Sequence, residues 1–302
     1  MKRIISTILL VCAGMGFSFA QGTDNLTTLQ VGNSEAITSE KAPVATSWSF
    51  LVGEADYANH YLDLLEHTGD VTGLEYLRIR NSAKYENISY RFSIVHLRNM
   101  HRTIIGGGLE NFAQTSVLST QNYEMDYAVF YNWSFFDRLK VRAGGSINAY
   151  GGFMFAEGNA INNVLSVDMQ LHAYAAAQAK YGWDYEKFGL DVYAGMSFPV
   201  LGMMAVDSRY ESSMESIGGS SFTSKDVNHI KLTSMHNLQG VNFEMGAGFA
   251  FKRHTLHFAI QSRCRWWNAY GLQNYRNNTL VKLGISFNMF TYQNANTNNR
   301  QF

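Results

Sequence analysis

Asp168 and His172 stand four residues apart, with Ser166 two residues before the acid. A hydroxyl, an imidazole and a carboxylate are the parts of a nucleophilic hydrolase, in which the imidazole takes the hydroxyl proton and the carboxylate orients the imidazole. On an extended strand this even spacing puts all three on one face, and Ser146 from a neighbouring segment is an alternative nucleophile. Any strand with one polar face yields such triples, so the spacing alone does not establish a reaction.

A second group, Asp207, Glu211, Glu215 and Asp226 with His229 and His236, offers donors for a divalent cation. Its irregular spacing fits neither the calcium-loop nor the zinc patterns, and a solvated outer loop accounts for it. No metal and no cofactor is expected. The largest set of ionisable residues is spread along the chain: Arg91, Glu124, Asp126, Lys140, Arg142, Asp168, Asp191, Glu244, Arg263, Arg265 and Lys282, with Arg78 beside them. All but Arg263, which follows Ser262, lie between apolar residues.

The elements that must carry these residues are strands. From Thr279 to Phe290, Val281, Leu283, Ile285, Phe287 and Met289 alternate with Lys282, Gly284, Ser286 and Asn288. A period of two gives a strand one apolar and one polar face. The same pattern runs through 47–53, 71–80, 88–97, 103–114, 122–135, 139–155, 163–181, 188–204, 241–251 and 254–267. In the third of these Ile88, Tyr90, Phe92 and Ile94 oppose Ser89, Arg91 and Ser93; in 163–181 Leu165, Val167, Met169 and Leu171 oppose Ser166, Asp168, Gln170 and His172.

An apolar outer face around a polar inner one is the requirement of a transmembrane β-barrel. The charges then point into the lumen, either as a polar pore and small-solute site or as acid–base pairs that fill the space. Single-chain bacterial barrels have an even number of strands, so the eleven segments predict about 12 strands within a range of 10–14, the missing one at Asn59–Glu66 or His229–Leu238. Placing the long connections on one side favours the former. Lumens fill with side chains near eight strands and open near sixteen; twelve lies between, with a filled or narrow lumen favoured. Trp48, Trp133, Trp183, Trp266 and Trp267 fall at or near strand ends, where amphipathic rings settle at headgroup level.

The first twenty residues carry Lys2 and Arg3, an apolar core from Ile4, and small Ser18 and Ala20 before Gln21. This is a cleavable export signal with its cut between Ala20 and Gln21. The expected organisation is a signal peptide over 1–20, a polar periplasmic lead-in over 21–44, an outer-membrane barrel over 45–292 and a polar tail over 293–302. Phe290 or Phe302 would be the terminal aromatic read by the barrel-assembly machinery. After cleavage Cys264 is the single cysteine, so no internal disulfide forms. The net charge of zero gives no sign of a nucleic-acid partner. The expected partners are outer-membrane lipid and, during biogenesis, the assembly machinery.

Several stretches carry a family pattern: His60-Tyr61-Leu62-Asp63 through Glu66-His67-Thr68-Gly69, Asn159 to Val164 with the paired Asn162 and Asn163, Phe198-Pro199-Val200-Leu201-Gly202 leading to Tyr210-Glu211 and Met214-Glu215, and Thr233-Ser234-Met235-His236-Asn237. In these the chain resembles an uncharacterised family of outer-membrane β-barrel proteins, a domain of unknown function from gut-type Gram-negative bacteria. The resemblance implies fold and location and transfers no catalytic residue. The leading expectation is an integral outer-membrane barrel that is not an enzyme, serving as a narrow porin-like channel, a binding platform or a structural membrane protein. The alternatives are an outer-membrane lipase or protease and a secreted soluble β-protein.

Overall fold

A computed structural model describes residues 44–59, 66–82, 84–85, 87–105, 114–135, 138–158, 165–185, 188–205, 230–251, 254–269 and 272–288. They form β1 (Val44–Asn59), β2 (Glu66–Asn81), β3 (Ile88–Ile105), β4 (Gln114–Phe135), β5 (Leu139–Gly158), β6 (Leu165–Asp184), β7 (Gly189–Ala205), β8 (Ile230–Ser234), β9 (Leu238–Phe251), β10 (His254–Ala269) and β11 (Leu272–Asn288). Every pairing among them is antiparallel.

The sheet closes on itself. β1 pairs with both β2 and β11, β6 pairs with β7, and β7 pairs with β9, so ten strands form a ring with no free edge. Closure removes the unpaired N–H and C=O groups that a sheet edge would expose to hydrocarbon. β8 stands outside that ring. The β7–β9 ladder ends at Ser197 and Asn242, and β8 takes up the remainder of β7 from Leu201 to Ala205. Between β8 and β9 the Asn237 side chain secures a turn, donating to the Leu232 carbonyl and accepting from the Ser234 N–H.

Among the described residues the ring therefore has ten strands, at the lower limit of the 10–14 expected and two fewer than the central figure of twelve. Thr103–Gln114 is not a strand of its own: Ile105 pairs with Gln114 as the last pair of the β3–β4 hairpin before the connection, and residues 106–113 lie outside those described. Asn59–Glu66 is likewise the end of a hairpin, where Ala58 pairs with Glu66. The physical reason is strand length. Crossing a bilayer takes about 9–11 tilted residues, whereas β4 has 22 and β3 has 18. Where a strand runs beyond the apolar band its outer face no longer has to be apolar. The alternation therefore lapses at Arg98–Arg102, or at Gln273–Asn278 in β11, while the hydrogen-bonded ladder continues.

Within the band the alternation holds on every ring strand. Trp48, Phe50 and Val52 on β1, Leu74, Ile94, Val129, Ile147, Val192, Met245, Phe258 and Leu283 are exposed outward, while Ser47, Ser49, Leu51, Glu75, Glu124, Arg142 and Lys282 are buried inward. Stepping from partner to partner round the ring from Val192 returns to β7 at Ala205, thirteen positions on, one of them a bulge at Val200. That stagger over ten strand spacings tilts the strands by about 40°. The bulge follows Pro199, which has no N–H to give to a ladder; beyond it the inward positions switch from odd to even, so that Met204 is buried.

The signal segment with Ala20 and Gln21, the lead-in up to residue 43, the tail and both Phe290 and Phe302 lie outside the described residues, as do Asp207, Glu211, Glu215, Asp226 and His229.

The β1–β11 seam leaves no room at Gly53, where a Cβ would stand 1.9 Å from the Thr279 carbonyl oxygen, while at Gly151 it would meet nothing within 4 Å. Gly53→Val is expected to abolish the compact, heat-modifiable species of the refolded chain in detergent electrophoresis, and Gly151→Ala to keep it.

Candidate functional site

The polar inner face converges on one carboxylate. Glu124 on β4 accepts from Arg263 at 2.8 Å and Arg276 at 3.0 Å, with Arg265 at 3.5 Å. In the ring order β4 and β10 are five places apart out of ten, so the Arg263–Glu124 pair crosses the full diameter of the barrel. At 6% exposure the glutamate side chain is out of bulk water, where an ion pair is screened little. The surrounding aromatics complete the cluster. The Arg276 guanidinium lies 4.1 Å from the centroid of the Tyr150 ring, and Arg265 lies 5.6 Å from Tyr150 and 5.7 Å from Tyr174. Tyr150 donates its hydroxyl proton to Asn122 at 2.6 Å, and Asn122 donates to the Tyr57 hydroxyl at 2.8 Å.

A second node lies nearer the end of the barrel that carries the chain's described termini. Lys282 on β11 reaches Glu75 on β2 at 2.6 Å and Glu244 on β9 at 3.3 Å, and Glu244 also accepts from Tyr193 and Gln261. Arg91 pairs with Asp126 at 2.8 Å, Lys180 with Asp191 at 3.2 Å, and Arg142 with Gln178. The Phe130 ring takes Arg91 and Arg142 over it. Toward the other end Asn59 on β1 donates to Ser166 on β6, again five places apart, at 3.3 Å. From the level of Lys282 and Glu75 toward that end, Leu51, Ala55, Tyr57, Val71, Val95, Leu97, Leu118, Met154, Ala156 and Leu280 form an apolar cluster inside the lumen. Side chains therefore cross the whole diameter at two levels and pack the space between them.

The inward charges expected from sequence, Arg91, Glu124, Asp126, Arg142, Asp168, Asp191, Glu244, Arg263, Arg265 and Lys282, stand on lumen-facing positions, and Lys140 continues the β5 inward series. Arg78 is the exception, exposed on the outer face of β2. Arg276 was missed because its segment reads as a loop; extending the two-residue period of β11 back from Leu280 through Asn278 would have found it. Trp48, Trp133 and Trp266 point outward near strand ends, and Trp183 is half-buried at the end of β6. Trp267 does not join them: it is 5% exposed and packs inside with Met204 and Leu238.

The hydrolase constellation is not assembled. Ser166, Asp168 and His172 share the inward face of β6, but His172 pairs opposite Asn148 and Asp168 opposite Gly152. Four residues of strand separate their Cα atoms by about 13 Å. Neither ring nitrogen of His172 has a hydrogen-bond partner, and its ring packs edge-on against Tyr174. Ser166 is engaged by Asn59 instead. The two-residue period that places three groups on one face also spaces them too far apart to exchange a proton. Among the described residues no cluster of three His, Cys, Asp or Glu side chains has metal-binding geometry, and Cys264 is a free, half-buried thiol.

The sequence pattern and the closed antiparallel ring agree with a family match that runs over residues 7–296. The chain belongs to the family of proteins of unknown function DUF3316. The resemblance noted from the sequence, to a barrel family without assigned activity, is thus membership of DUF3316. No curated protein matches the chain. Similar solved structures are outer-membrane proteins. They include an outer-membrane channel from Pseudomonas putida F1 (10% identity, TM-score 0.38, covering 86% of this chain and 100% of that one) and the outer-membrane protease OmpT from Escherichia coli (7%, 0.44, 85% and 99%). A third is the beta domain of the Bordetella autotransporter BrkA (9%, 0.43, 81% and 99%).

Lys282 pairs with Glu75 and is one of the groups that hold Glu244. Lys282→Met should take the paired cation from Glu75, weaken the hold on Glu244, and lower the unfolding free energy by about 3–5 kcal/mol, the usual loss when one partner of a buried pair is removed. Glu54→Gln, at an exposed position outside the barrel, should change it by less than about 0.5 kcal/mol. Denaturant unfolding in detergent micelles measures both.

Proposed function

We propose that this DUF3316 protein is an integral outer-membrane barrel whose lumen is closed, a membrane-anchored platform that presents its rim and does not conduct solutes. The observation that carries the reading is the Glu124–Arg263 contact across the barrel diameter, with Arg265 and Arg276 on the same carboxylate. A porin of sixteen or more strands keeps its charges on the wall and leaves water between them; here they meet in the middle.

The location is supported by the outward residues. Trp48, Phe50, Val52, Ile94, Val129, Ile147, Met196, Phe243, Ile260 and Leu283 would be an aggregating surface in water, yet they form the outer face that lipid solvates. Trp48, Trp133, Trp183 and Trp266 lie where the apolar band gives way to polar positions, the place of a headgroup belt. In this reading the first twenty residues are an export signal cut after Ala20, outer-membrane lipid is the constant partner, and the assembly machinery acts during biogenesis.

The lengths of the connections support one orientation. β2 and β3, β4 and β5, β6 and β7, and β9 and β10 follow each other after short intervals of sequence at the end that also carries Val44 and Asn288, which supports turning this end to the periplasm, while β7 ends at Ala205, before the long interval to Ile230, at the opposite end. The outer rim is where a platform would meet a partner.

Refolded mature protein, inserted into a planar bilayer with insertion checked by flotation, should give no discrete conductance steps. Regular steps in an inserted protein would overturn the closed lumen. Failure to float with lipid would overturn the membrane barrel itself.

A further inference from the structure

The level of the lumen around Glu124 carries more positive than negative charge. Arg263, Arg265 and Arg276 face one glutamate, and counting Asp168, the other buried carboxylate on this part of the wall, still leaves one guanidinium in excess. The excess has a place. Arg265 is 2% exposed, yet its Nε and Nη1 have no hydrogen-bond partner; only Nη2 is engaged, at 3.5 Å from both Asn148 Oδ1 and Glu124 Oε2. Three places round the ring from it, on β6, stand Tyr174, whose hydroxyl is unpartnered, and His172, whose two ring nitrogens are unpartnered. His172 is the register partner of Asn148, which fixes it beside the Arg265 contact.

We infer that these groups form a buried binding site for a small oxyanion, held by Arg265 with Tyr174 and His172 as further donors. A buried donor left unmade is unfavourable by about 1–3 kcal/mol, more when charged, and here three side chains bring unpartnered polar atoms to one stretch of the lumen. A tetrahedral or carboxylate oxyanion answers both demands at once, accepting from the guanidinium edge and neutralising the spare charge. The aromatic walls of Tyr150 and Tyr174 exclude water from its flanks and strengthen the attraction. The site would brace β10 against β5 and β6, adding a link to the closed lumen of the reading above, on which it rests for access: an ion enclosed between two cross-lumen bridges is acquired as the barrel folds.

The test therefore refolds the mature chain in detergent with radiolabelled sulfate, or phosphate in a parallel series, removes free ion by gel filtration, and counts what is retained. The site predicts about one retained ion per folded chain, loss of retention in Arg265→Gln, and at least about a tenfold weaker apparent affinity in Tyr174→Phe, which keeps the packing and removes one donor. No retained ion in a correctly folded, non-conducting wild-type barrel would overturn the site and leave the closed lumen standing. Equal retention by wild type and Tyr174→Phe together with folded Arg265→Gln would also overturn it, because the ion would then be held elsewhere. Should Arg265→Gln fail to fold, Tyr174→Phe alone decides the outcome.

Discussion

The attraction between Glu124 and the arginines that converge on it from β10 and β11 is the interaction on which the rest of the structure depends. A ring of ten strands tilted by about 40° leaves a space too wide for opposing backbones to touch and too narrow for an ordinary water-filled pore. Only long side chains reach across it. Arginine, with its extended stem and fixed fork of donors, suits that reach, and tyrosines from β1, β5 and β6 fill the gaps between the forks. Charges taken out of water are unfavourable unless they are paired and hydrogen-bonded, so the first inward charge requires the others. That is why the buried ionic groups occur as linked nodes centred on Glu124, Lys282 and Asp126.

The outer face imposes the complementary constraint. Lipid solvates apolar side chains and no backbone polar group, so the strands must close and must alternate. Small inward residues follow from the same geometry. Gly53, Gly144 and Gly246 stand where a Cβ would strike the neighbouring strand, and Ser47, Ser49, Ala128 and Ala259 occupy wall positions that leave room for the long cross-lumen chains. Beyond the apolar band both constraints relax at the outer surface. The ladders continue there on backbone hydrogen bonding, with Glu54, Asp70 and Arg98 outside and an apolar cluster inside.

The wall of the barrel was legible in the sequence because one period of two, read over ten or more residues, fixes the face of every side chain. Arg91, Glu124, Arg142, Glu244, Arg263, Arg265 and Lys282 were all assigned inward on that basis and are lumen-facing. The number of strands was not legible, because polar stretches such as Asn99–Arg102 look like loops when they are strand ends beyond the apolar band. Trp267 was misread for a related reason: adjacent tryptophans on a strand must face opposite ways, so Trp266 outside forces Trp267 inside. Which charges meet across the lumen was beyond the sequence. That depends on the stagger accumulated round ten ladders, which brings positions 124 and 263 to one height. The hydrolase triple failed on distance, a quantity the spacing already contained.

The measurement that tests the account most directly is a double-mutant cycle on Glu124→Gln and Arg263→Gln, followed by reversible denaturant unfolding of the refolded barrel. A contact that braces the diameter predicts a coupling energy of about 1.5 kcal/mol or more between strands half a ring apart. Losses that add to within about 0.5 kcal/mol would mean that the two residues do not meet, and would contradict the closed lumen at its centre.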